Sequence, residues 1–484
     1  MKRESFSKHF LNIGGGTLLT MLIGLITTPI ITRLISTEEY GKFSIFQLYA
    51  SMAVMVLCLG LDQALMRFYY DSEDINYKRT LLHKCFILPI IITIFIGAIL
   101  IILTLTQTIE FEFSIYAIIL LIICIIFQII NRLSLITLRL EFMSKVYSAI
   151  NVTYKILYVI IILFIYYFIK NNTFYNMAIA MTISYVIVAI IGIYIQRDLW
   201  KIRKKQHIKV EFKRLLNYGM PYIIAMGLTT LFQAIDKISI SYYCGYSEVG
   251  VYSSAITLIN IFAIIQTTFN ALWTPMAIKH YNENKEDKTL YENVNRIITV
   301  VMFFMGITLI LFKDIFVLLL GKEYREATYI LPCLIFNPIM YTISETTVCG
   351  IVFKEKSKMH VIISLISCVS NIIGNIILVP IFGGKGAAIS TGISYIIFFT
   401  ARTLLSRYYF YVDYKLFKFY IITFLTLIFA IYSTFVTINI LTVIFYAIIL
   451  ILISVLYKDT VFEIMTKLKE KFILIKKHIN IKNN

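Results

Sequence analysis

The sequence predicts an all-α polytopic membrane protein with about 14 transmembrane helices. Of its 484 residues, 59% are hydrophobic and only 15% are charged, against about 25% charged residues in a typical soluble protein. The stretch from Phe86 to Thr106 contains no charged residue. At 1.5 Å per residue it is long enough to cross a hydrocarbon core about 30 Å thick.

A second observation is an internal repeat with an offset of nearly half the chain. The segment EYGKFS at 39–44 returns 209 positions later as EVGVYS at 248–253. The segment AIAMTISY at 178–185 returns 210 positions later as AISTGISY at 388–395. Two short matches at nearly one offset predict a duplicated helical bundle, an organisation that is common among transporters.

Apolar runs separated by polar loops predict the individual spans. These lie at 10–34, 43–66, 85–106, 113–138, 147–169, 176–196, 215–240, 250–275, 295–320, 328–352, 359–381, 386–406, 417–437 and 440–457. The repeat predicts two pseudo-symmetric six-helix lobes, 1–200 and 201–410, followed by two additional spans within 411–457. No small-residue cleavage site follows the first apolar run, so we expect this span to be retained and not removed as a signal peptide.

Lys and Arg are distributed unevenly between alternate loops. With the N-terminus inside, the cytoplasmic loops and both termini hold 34 of the 45 basic residues, whereas the opposite loops hold seven. This bias predicts that both termini are cytoplasmic. The basic tail at 458–484 mixes apolar residues with lysines. We expect it to lie on the inner leaflet as an amphipathic helix or to extend into the cytoplasm.

The charge and the Cys and His patterns exclude several classes of function. The net charge of +18 is explained by the cytoplasmic loops, so nucleic acid is not an expected partner. The seven Cys are dispersed without a C-x-x-C pair, and the six His do not cluster, so the sequence predicts no disulfide framework, metal site or cofactor. No loop exceeds about 25 residues. A soluble catalytic domain has no room, and we expect a transporter and not an enzyme.

Four stretches resemble a known family. They read TRLISTEEYG at 32–41, LGLDQALMRFY at 59–69, GKEYREA at 321–327 and NIILVPIFGGKGAAIST at 375–391. Their order is similar to that in the bacterial polysaccharide biosynthesis flippases, the O-antigen and capsule repeat-unit exporters of the multidrug/oligosaccharidyl-lipid/polysaccharide exporter superfamily. The resemblance extends from about residue 10 to residue 455. Thr37 stands where the family often has proline, which affects only the stiffness of the turn.

The resemblance implies a fold, a substrate and partners. Two six-helix lobes would surround a central cavity within the bacterial inner membrane. The substrate would be an undecaprenyl-pyrophosphate-linked oligosaccharide, turned from the cytoplasmic to the outer leaflet for O-antigen (lipopolysaccharide) or capsule synthesis. Glycosyltransferases would supply this lipid, a polysaccharide polymerase would consume it, and membrane lipids would surround the protein.

Charged residues inside spans are the first candidates for a site, because each costs about 2.5–3.5 kcal/mol at the centre of a helix on insertion scales. Arg132 and Lys155 each lie about two turns from the inner ends of neighbouring predicted spans. We expect this pair to bind pyrophosphate, since arginine suits bidentate contact with phosphate oxygens. The alternative is that both side chains extend to the inner headgroups.

Three other basic residues are candidates for the same cationic cavity. Arg67 closes the second span, Arg402 lies near the inner end of the twelfth, and Lys237 lies near the outer end of the seventh. The alternative role for each is to anchor a helix end at the interface.

Three carboxylates are candidates for coupling transport to H⁺ or Na⁺. Glu345 lies midway along the tenth span among small polar residues, and Asp236 adjoins Lys237. Asp62 precedes Arg67 by five residues, an imperfect spacing for an intrahelical ion pair. The alternative for Glu345 is a local hydrogen-bonded role, and the alternative for Asp62 is an ion pair with Arg67. Of Asp236 and Lys237, one could face the cavity while the other reaches interfacial water.

Together these features predict transport by alternating access. A multidrug or cation antiporter would share the architecture, but it needs acidic residues in the cavity. A flippase for the peptidoglycan precursor would bind a similar pyrophosphate lipid. A membrane polysaccharide polymerase is a rival of a different class, and it would be expected to have a large external loop or a His/Asp cluster.

Overall fold

The structure, a computed structural model, describes residues 6–107, 113–169, 173–201, 211–466 and 469–470. Every regular element in these ranges is a helix. Most of the basic tail predicted at 458–484 lies outside the described residues. The part that is described begins with a helix, Lys458–Thr466, which lies at 92° to the helix before it.

Contacts divide the chain into two compact units. The first is Met1–Thr257 with Leu320–Tyr324, and the second is Leu258–Leu319 with Arg325–Asn484. The first unit therefore continues beyond the predicted first lobe, 1–200, because helices after residue 211 pack against its second span.

The first unit contains both long and short helices. They are α1 (Phe6–Leu34), α2 (Thr37–Leu57), α3 (Leu61–Phe68), α4 (Ile75–Leu105), α5 (Ile115–Leu140), α6 (Ser144–Ile169), α7 (Phe174–Ile195), α8 (Arg197–Trp200), α9 (Phe212–Cys244) and α10 (Tyr246–Ile259). The helix α5 packs against α4 and α7, α6 packs against α1 and α7, and α2 packs against α5, α7 and α9. This arrangement places α5 in the middle of the unit.

The second unit contains the remaining helices. They are α11 (Ile261–Glu283), α12 (Thr289–Leu311), α13 (Lys313–Val317), α14 (Leu331–Leu334), α15 (Phe336–Thr347), α16 (Cys349–Phe353), α17 (Lys358–Tyr409), α18 (Leu416–Phe435) and α19 (Ile440–Leu456). A 3₁₀ helix at Lys322–Tyr329 is divided between the two units after Tyr324. The helix α15 packs against α17, α12 and α11. A cluster around Trp273, Tyr291 and Tyr414 forms part of the core.

In the described ranges, eight continuous helices and five pairs of helices joined at a break have the length and composition of membrane spans. The helix α17 is 52 residues long, about 78 Å at 1.5 Å per residue, which is more than twice the thickness of a hydrocarbon core. Its backbone breaks at Gly383, with φ 58° and ψ −137°. Divided there, α17 accounts for two spans, and the total is the predicted 14.

The surfaces of these helices fit a bilayer. The most apolar stretch of α4 has a mean hydropathy of 3.1, yet only 17% of it is buried inside the protein. Ile91, Ile94 and Phe95 are more than half exposed. Apolar helix surface of this extent is stable only against lipid. The helix α4 also begins ten residues before the predicted span, because Asp74 accepts a hydrogen bond from the Asn76 amide as its N-cap.

Two segments of the internal repeat contact each other within the first unit. A Cβ on Gly41 would lie 1.7 Å from the Tyr246 carbonyl oxygen, and a Cβ on Gly250 would lie 2.0 Å from the Thr37 carbonyl oxygen. The Thr37 and Ser247 hydroxyl oxygens are 2.7 Å apart. The first turns of α2 and α10 thus pack backbone against backbone, which only glycine permits at these two positions.

Candidate functional site

The first unit contains a cavity of about 440 Å³ between α2, α3, α5, α6 and α7. One carboxylate, two guanidinium groups, four amides and two phenols line it: Asp62, Arg132, Arg139, Gln63, Gln128, Asn131, Asn151, Tyr147 and Tyr185. Two arginines against one aspartate leave the lining with a net charge of one positive. Such a cavity suits a ligand that is anionic and rich in hydrogen-bonding groups.

The central helix α5 provides most of the wall. Gln128, Arg132, Leu135 and Arg139 follow one another at three- or four-residue intervals and all line the cavity, so they lie on one face. Buried residues such as Leu133 occupy the other faces of α5. Arg132 and Arg139 are separated by about 10 Å along the helix axis, which gives the cavity positive charge at two depths.

Arg132 forms an ion pair with Asp62. Its Nη2 and Nε donate to Oδ2 of Asp62 at 2.6 and 3.0 Å, and Gln63 donates to the same oxygen at 3.0 Å. The Asp62 side chain is only 3% exposed, whereas that of Arg132 is 34% exposed. The carboxylate is therefore sealed while the guanidinium faces the cavity. The pairing of Asp62 with Arg67 that the sequence spacing raised does not occur.

A break in the second span positions Asp62. Leu59 and Gly60 have positive φ angles of 51° and 65°, and α2 and α3 meet at 53°. A Cβ on Gly60 would lie 2.1 Å from the Gly219 carbonyl oxygen of α9, so only glycine fits there. The break redirects α3 so that its first turn contacts α5, and Asp62 reaches Arg132.

Neutral polar groups surround this ion pair. The Asn131 Oδ1 atom is buried and has no hydrogen-bond partner in the part of the chain that the structure describes. The Asn151 amide donates to the Tyr147 carbonyl at 3.0 Å, and the Tyr185 ring lies 4.3 Å from that of Tyr154. Amides and aromatic faces offer hydrogen bonds and stacking to a ligand, and a buried acceptor without a partner costs about 1–3 kcal/mol until a donor reaches it.

A second cluster of side chains joins the end of α3, the start of α4 and the end of α5. Lys78 is almost fully buried, with its Nζ 3.4 Å from Glu73 and 3.6 Å from Glu141, and 4.8 Å from the centroid of the Tyr69 ring. The Tyr69 hydroxyl donates to Glu141 at 2.6 Å. Burial and the adjacent Glu141 carboxylate raise the pKa of Tyr69. The cluster joins the C-terminal end of α3 to the end of α5 that carries Arg139.

Lys155 does not belong to the lining of this cavity. It follows Tyr147 and Asn151 at four-residue intervals on the same face of α6, one turn further from the start of the helix. Its Nζ lies 5.8 Å from the centroid of the Tyr154 ring, and it forms no ion pair with any described residue. The structure thus places Arg132 in the cavity wall, whereas Lys155 lies on α6 one turn beyond the last residue of that helix in the lining, Asn151.

The second unit brings together two of the predicted residues, which carry opposite charges and were predicted separately. Arg402 of α17 donates to Glu345 of α15 at 2.8 Å and to the Ser344 hydroxyl at 2.6 Å. Its guanidinium lies 5.5 Å from the ring centroids of Tyr341 and Phe398. The two charged side chains are 8% and 12% exposed. The candidate cation and the candidate coupling carboxylate therefore neutralise each other.

The remaining candidates lie apart from the cavity lining. Arg67 is 3.4 Å from Asp71 at an exposed helix end. Asp236 is buried and accepts a hydrogen bond from the Tyr252 hydroxyl at 2.6 Å. Lys237 forms no ion pair among the residues described. No group of three His, Cys, Asp or Glu side chains that could hold a metal ion occurs in the described ranges.

A family model described as "Polysaccharide biosynthesis protein" matches residues 7–277. This match covers more than half of the chain and includes every residue of the cavity lining. The chain belongs to the polysaccharide biosynthesis protein family. The resemblance inferred from the four sequence stretches is thereby confirmed.

Curated relatives of this polysaccharide biosynthesis protein include one with a named role. It is 25% identical over 270 residues to the capsular polysaccharide biosynthesis protein CapF of Staphylococcus aureus, a match that covers 53% of this chain and 65% of CapF. The match thus spans less than two thirds of that relative. An uncharacterized membrane protein of Methanocaldococcus jannaschii is 23% identical over 398 residues, 76% of this chain and 78% of the relative.

Solved structures show the fold. The lipid II flippase MurJ in an inward closed conformation matches with a TM-score of 0.70 and 16% identity, over 93% of this chain and 99% of MurJ. A multidrug and toxin extrusion (MATE) transporter from Vibrio cholerae matches with a TM-score of 0.57 and 14% identity, over 83% of this chain and 95% of the transporter. The all-α polytopic fold is therefore confirmed.

Several cavity residues were not predicted from the sequence. Gln128, Asn131 and Asn151 carry no charge, so a search for charged residues inside spans passes over them. Their signal is the presence of amides in otherwise apolar helices, with Gln128 and Asn131 separated by one helical turn. Arg139 was counted among the loop residues, although α5 continues to Leu140.

Proposed function

We propose that this protein is a flippase that turns an undecaprenyl-pyrophosphate-linked oligosaccharide from the cytoplasmic to the outer leaflet by alternating access. The observation that supports this most is the cavity of the first unit, in which two arginines lie among amides and phenols. The family and the capsule-related relative support a role in polysaccharide synthesis. Capsule or O-antigen is the expected product, with glycosyltransferases acting before this step and a polymerase after it.

The pyrophosphate head would bind at Arg132 and Arg139. Arg132 presents a guanidinium that is one third exposed and already oriented by Asp62. A dianionic pyrophosphate competes with Asp62 for that guanidinium and gains a second cation at Arg139. Charge-assisted hydrogen bonds of this kind contribute about 1.5–3 kcal/mol each.

The sugar units would bind through neutral groups of the lining. Asn131 offers a carbonyl oxygen that has no partner among the described residues, and Tyr147 and Tyr185 line the same space. Hydroxyl groups of a sugar donate to such acceptors, and aromatic faces stack against its C–H surface. A lining that combines arginines with amides and aromatic rings would bind a charged head together with an uncharged glycan.

The membrane potential favours this direction of transport. Each negative charge that moves outward gains about 2.3 kcal/mol per 100 mV when the interior is negative. Two charges give a bias of about a thousandfold. Coupling to H⁺ or Na⁺ through Glu345, Asp236 or Asp62 is therefore not required by the energetics, although Asp62 is the candidate carboxylate that lines the cavity.

The test is export of the lipid-linked oligosaccharide in a strain that lacks the chromosomal copy. Arg132→Gln alone would leave the Asp62 carboxylate without its cation, so the variant is Asp62→Asn with Arg132→Gln, which removes both charges. We expect the lipid-linked oligosaccharide to accumulate and surface polymer to fall at least tenfold. Arg67→Gln, which removes an exposed arginine outside the lining, is the matched control and should export normally.

Two outcomes would contradict the proposal. One is normal export by the double variant at wild-type membrane levels. The other is growth of a strain depleted of its peptidoglycan-precursor flippase when this protein is supplied, with no effect on surface polymer. The second result would assign the cavity to the peptidoglycan precursor instead.

A further inference from the structure

The first unit has a second concave surface, on the opposite side of α6 from the cavity. It is a groove of about 330 Å³ between α6 and α7, lined mainly by aliphatic side chains. Lys145, Ala149 and Thr153 of α6 line it at four-residue intervals. Each lies two residues from Tyr147 or Asn151 of the cavity lining, which is about 200° around the helix. The groove and the cavity therefore open in opposite directions.

A packed apolar layer separates the groove from the cavity. Leu138, Ile150 and Val188 are buried together, and Tyr147, Tyr154 and other partly buried side chains pack against them. Ile150 and Val188 also form the floor of the groove. A lipid whose headgroup occupies the cavity has no path for its tail into the groove without opening this layer. The groove is thus a separate site.

Two basic residues lie at one end of the groove. Lys145, in the first turn of α6, and Ile195, the last residue of α7, line that end together. Arg197 follows two residues later and is exposed, as is Lys145. Neither cation forms an ion pair with a residue in the described ranges, and the neighbouring Asp198 carboxylate is bound by Lys201 at 3.1 Å. This end of the groove carries two positive charges available to an anion.

The geometry points to a binding site for an anionic phospholipid, with its phosphate between Lys145 and Arg197 and one acyl chain along the groove. From Lys145 to Thr153 the groove extends about 12 Å, enough for the first part of a chain. The distribution of loop charges assigns this end to the cytoplasmic side, where anionic lipids are enriched. The site is independent of the transport cycle proposed above.

The experiment is native mass spectrometry of the full-length protein after incubation with phosphatidylglycerol or phosphatidylethanolamine. We expect one phosphatidylglycerol to be retained and phosphatidylethanolamine to be lost. Lys145→Gln with Arg197→Gln should weaken retention about thirtyfold, since each basic residue near an anionic lipid contributes a factor of about five. Lys354→Gln with Lys356→Gln, two exposed lysines of the second unit, is the matched control and should retain the lipid.

A steric variant tests the groove without changing charge. Ala149 is exposed, so Ala149→Phe should fold normally, fill the groove and abolish retention. Equal retention of the two phospholipids, an equal loss in the control, or retention by Ala149→Phe would overturn the assignment. Displacement of the phospholipid by undecaprenyl phosphate would also overturn it, because the groove would then be a binding site for the isoprenoid lipid. Asp62→Asn with Arg132→Gln should retain phosphatidylglycerol whether or not export fails.

Discussion

The two units each contain an arginine–carboxylate pair, and the two pairs differ in what else they contact. In the first unit Arg132 is 34% exposed, and it lines a cavity of about 440 Å³. In the second unit Arg402 is 8% exposed, bound to Ser344 as well as Glu345. The Arg132 guanidinium is bound by Asp62 on one side and open to the cavity on the other, so it can exchange Asp62 for a ligand. The Arg402 guanidinium is enclosed by hydroxyl and aromatic groups, so it stabilises the packing of α15 against α17.

The two arginine–carboxylate pairs are expected to differ most in how much each contributes to the free energy of unfolding. Arg402→Leu leaves Glu345 buried without its cation and should lower the free energy of unfolding by about 3–5 kcal/mol. Arg132→Leu should cost less than half of that, because water in the cavity can hydrate Asp62 once the guanidinium is gone. The measurement is denaturant unfolding in detergent micelles. Equal losses in the two variants would remove the distinction between an open and an enclosed pair.

The next effect concerns anion binding. Asp62→Asn frees the Arg132 guanidinium from its competitor and should tighten binding of inorganic pyrophosphate about tenfold, the equivalent of about 1.4 kcal/mol. Glu345→Gln should leave the affinity unchanged, because Arg402 is enclosed. Calorimetric titration of the purified variants with pyrophosphate tests both statements. Weaker binding by Asp62→Asn would mean that Asp62 orients Arg132 more than it competes for it.

A smaller effect is expected at the part of the cavity that we propose binds sugar. Asn131→Leu removes the buried carbonyl acceptor and should weaken binding of the lipid-linked oligosaccharide about fivefold, the value of one neutral hydrogen bond of about 1 kcal/mol. Binding of inorganic pyrophosphate should not change, since that ligand has no sugar. A parallel loss for both ligands would indicate that Asn131 supports the shape of the cavity and not the recognition of glycan.

The smallest effect concerns Lys313, a second buried cation of the second unit, and its contribution to stability. Lys313 is fully buried and donates to the Ser433 and Val436 carbonyls at the end of α18. Burial lowers the pKa of Lys313 to about 8. The unfolded chain then binds more protons than the folded protein above about pH 8, so stability should rise with pH, by less than about 1 kcal/mol between pH 7 and 8.5. Lys313→Met should abolish this slope in thermal unfolding measured across that range, and a stability that falls with pH would contradict the assignment.

The sequence predicted the fold more completely than the site. Span number followed from apolar length, and Arg132 followed from the cost of a charge in a helix. Its partner Asp62 lies 70 residues away, and the contact depends on the positive φ angles of Leu59 and Gly60. Helical periodicity contains no information about such a break. Asn131 was missed for another reason, because neutral amides produce no strong signal in a charge count.

The predicted role of Arg402 shows the converse limit. Its position in a span indicated that the charge must be compensated, and Glu345 provides the compensation. Sequence alone does not distinguish a ligand from a neighbouring side chain as the compensating group. The distance between α15 and α17 settles that question. The short helix after α15, α16, also packs closely against α17, because a Cβ on Gly350 would lie 2.1 Å from the Ser406 carbonyl oxygen.

The glycine contact between α2 and α10 has the reciprocal pattern of a two-fold symmetric dimer, in which each partner offers the same patch to the other. Gly41 meets the backbone before Gly250, and Gly250 meets the backbone before Gly41. Neither glycine can compensate for the other, because each contacts a different stretch of backbone. A side chain at either position alone is therefore enough to separate the two helices.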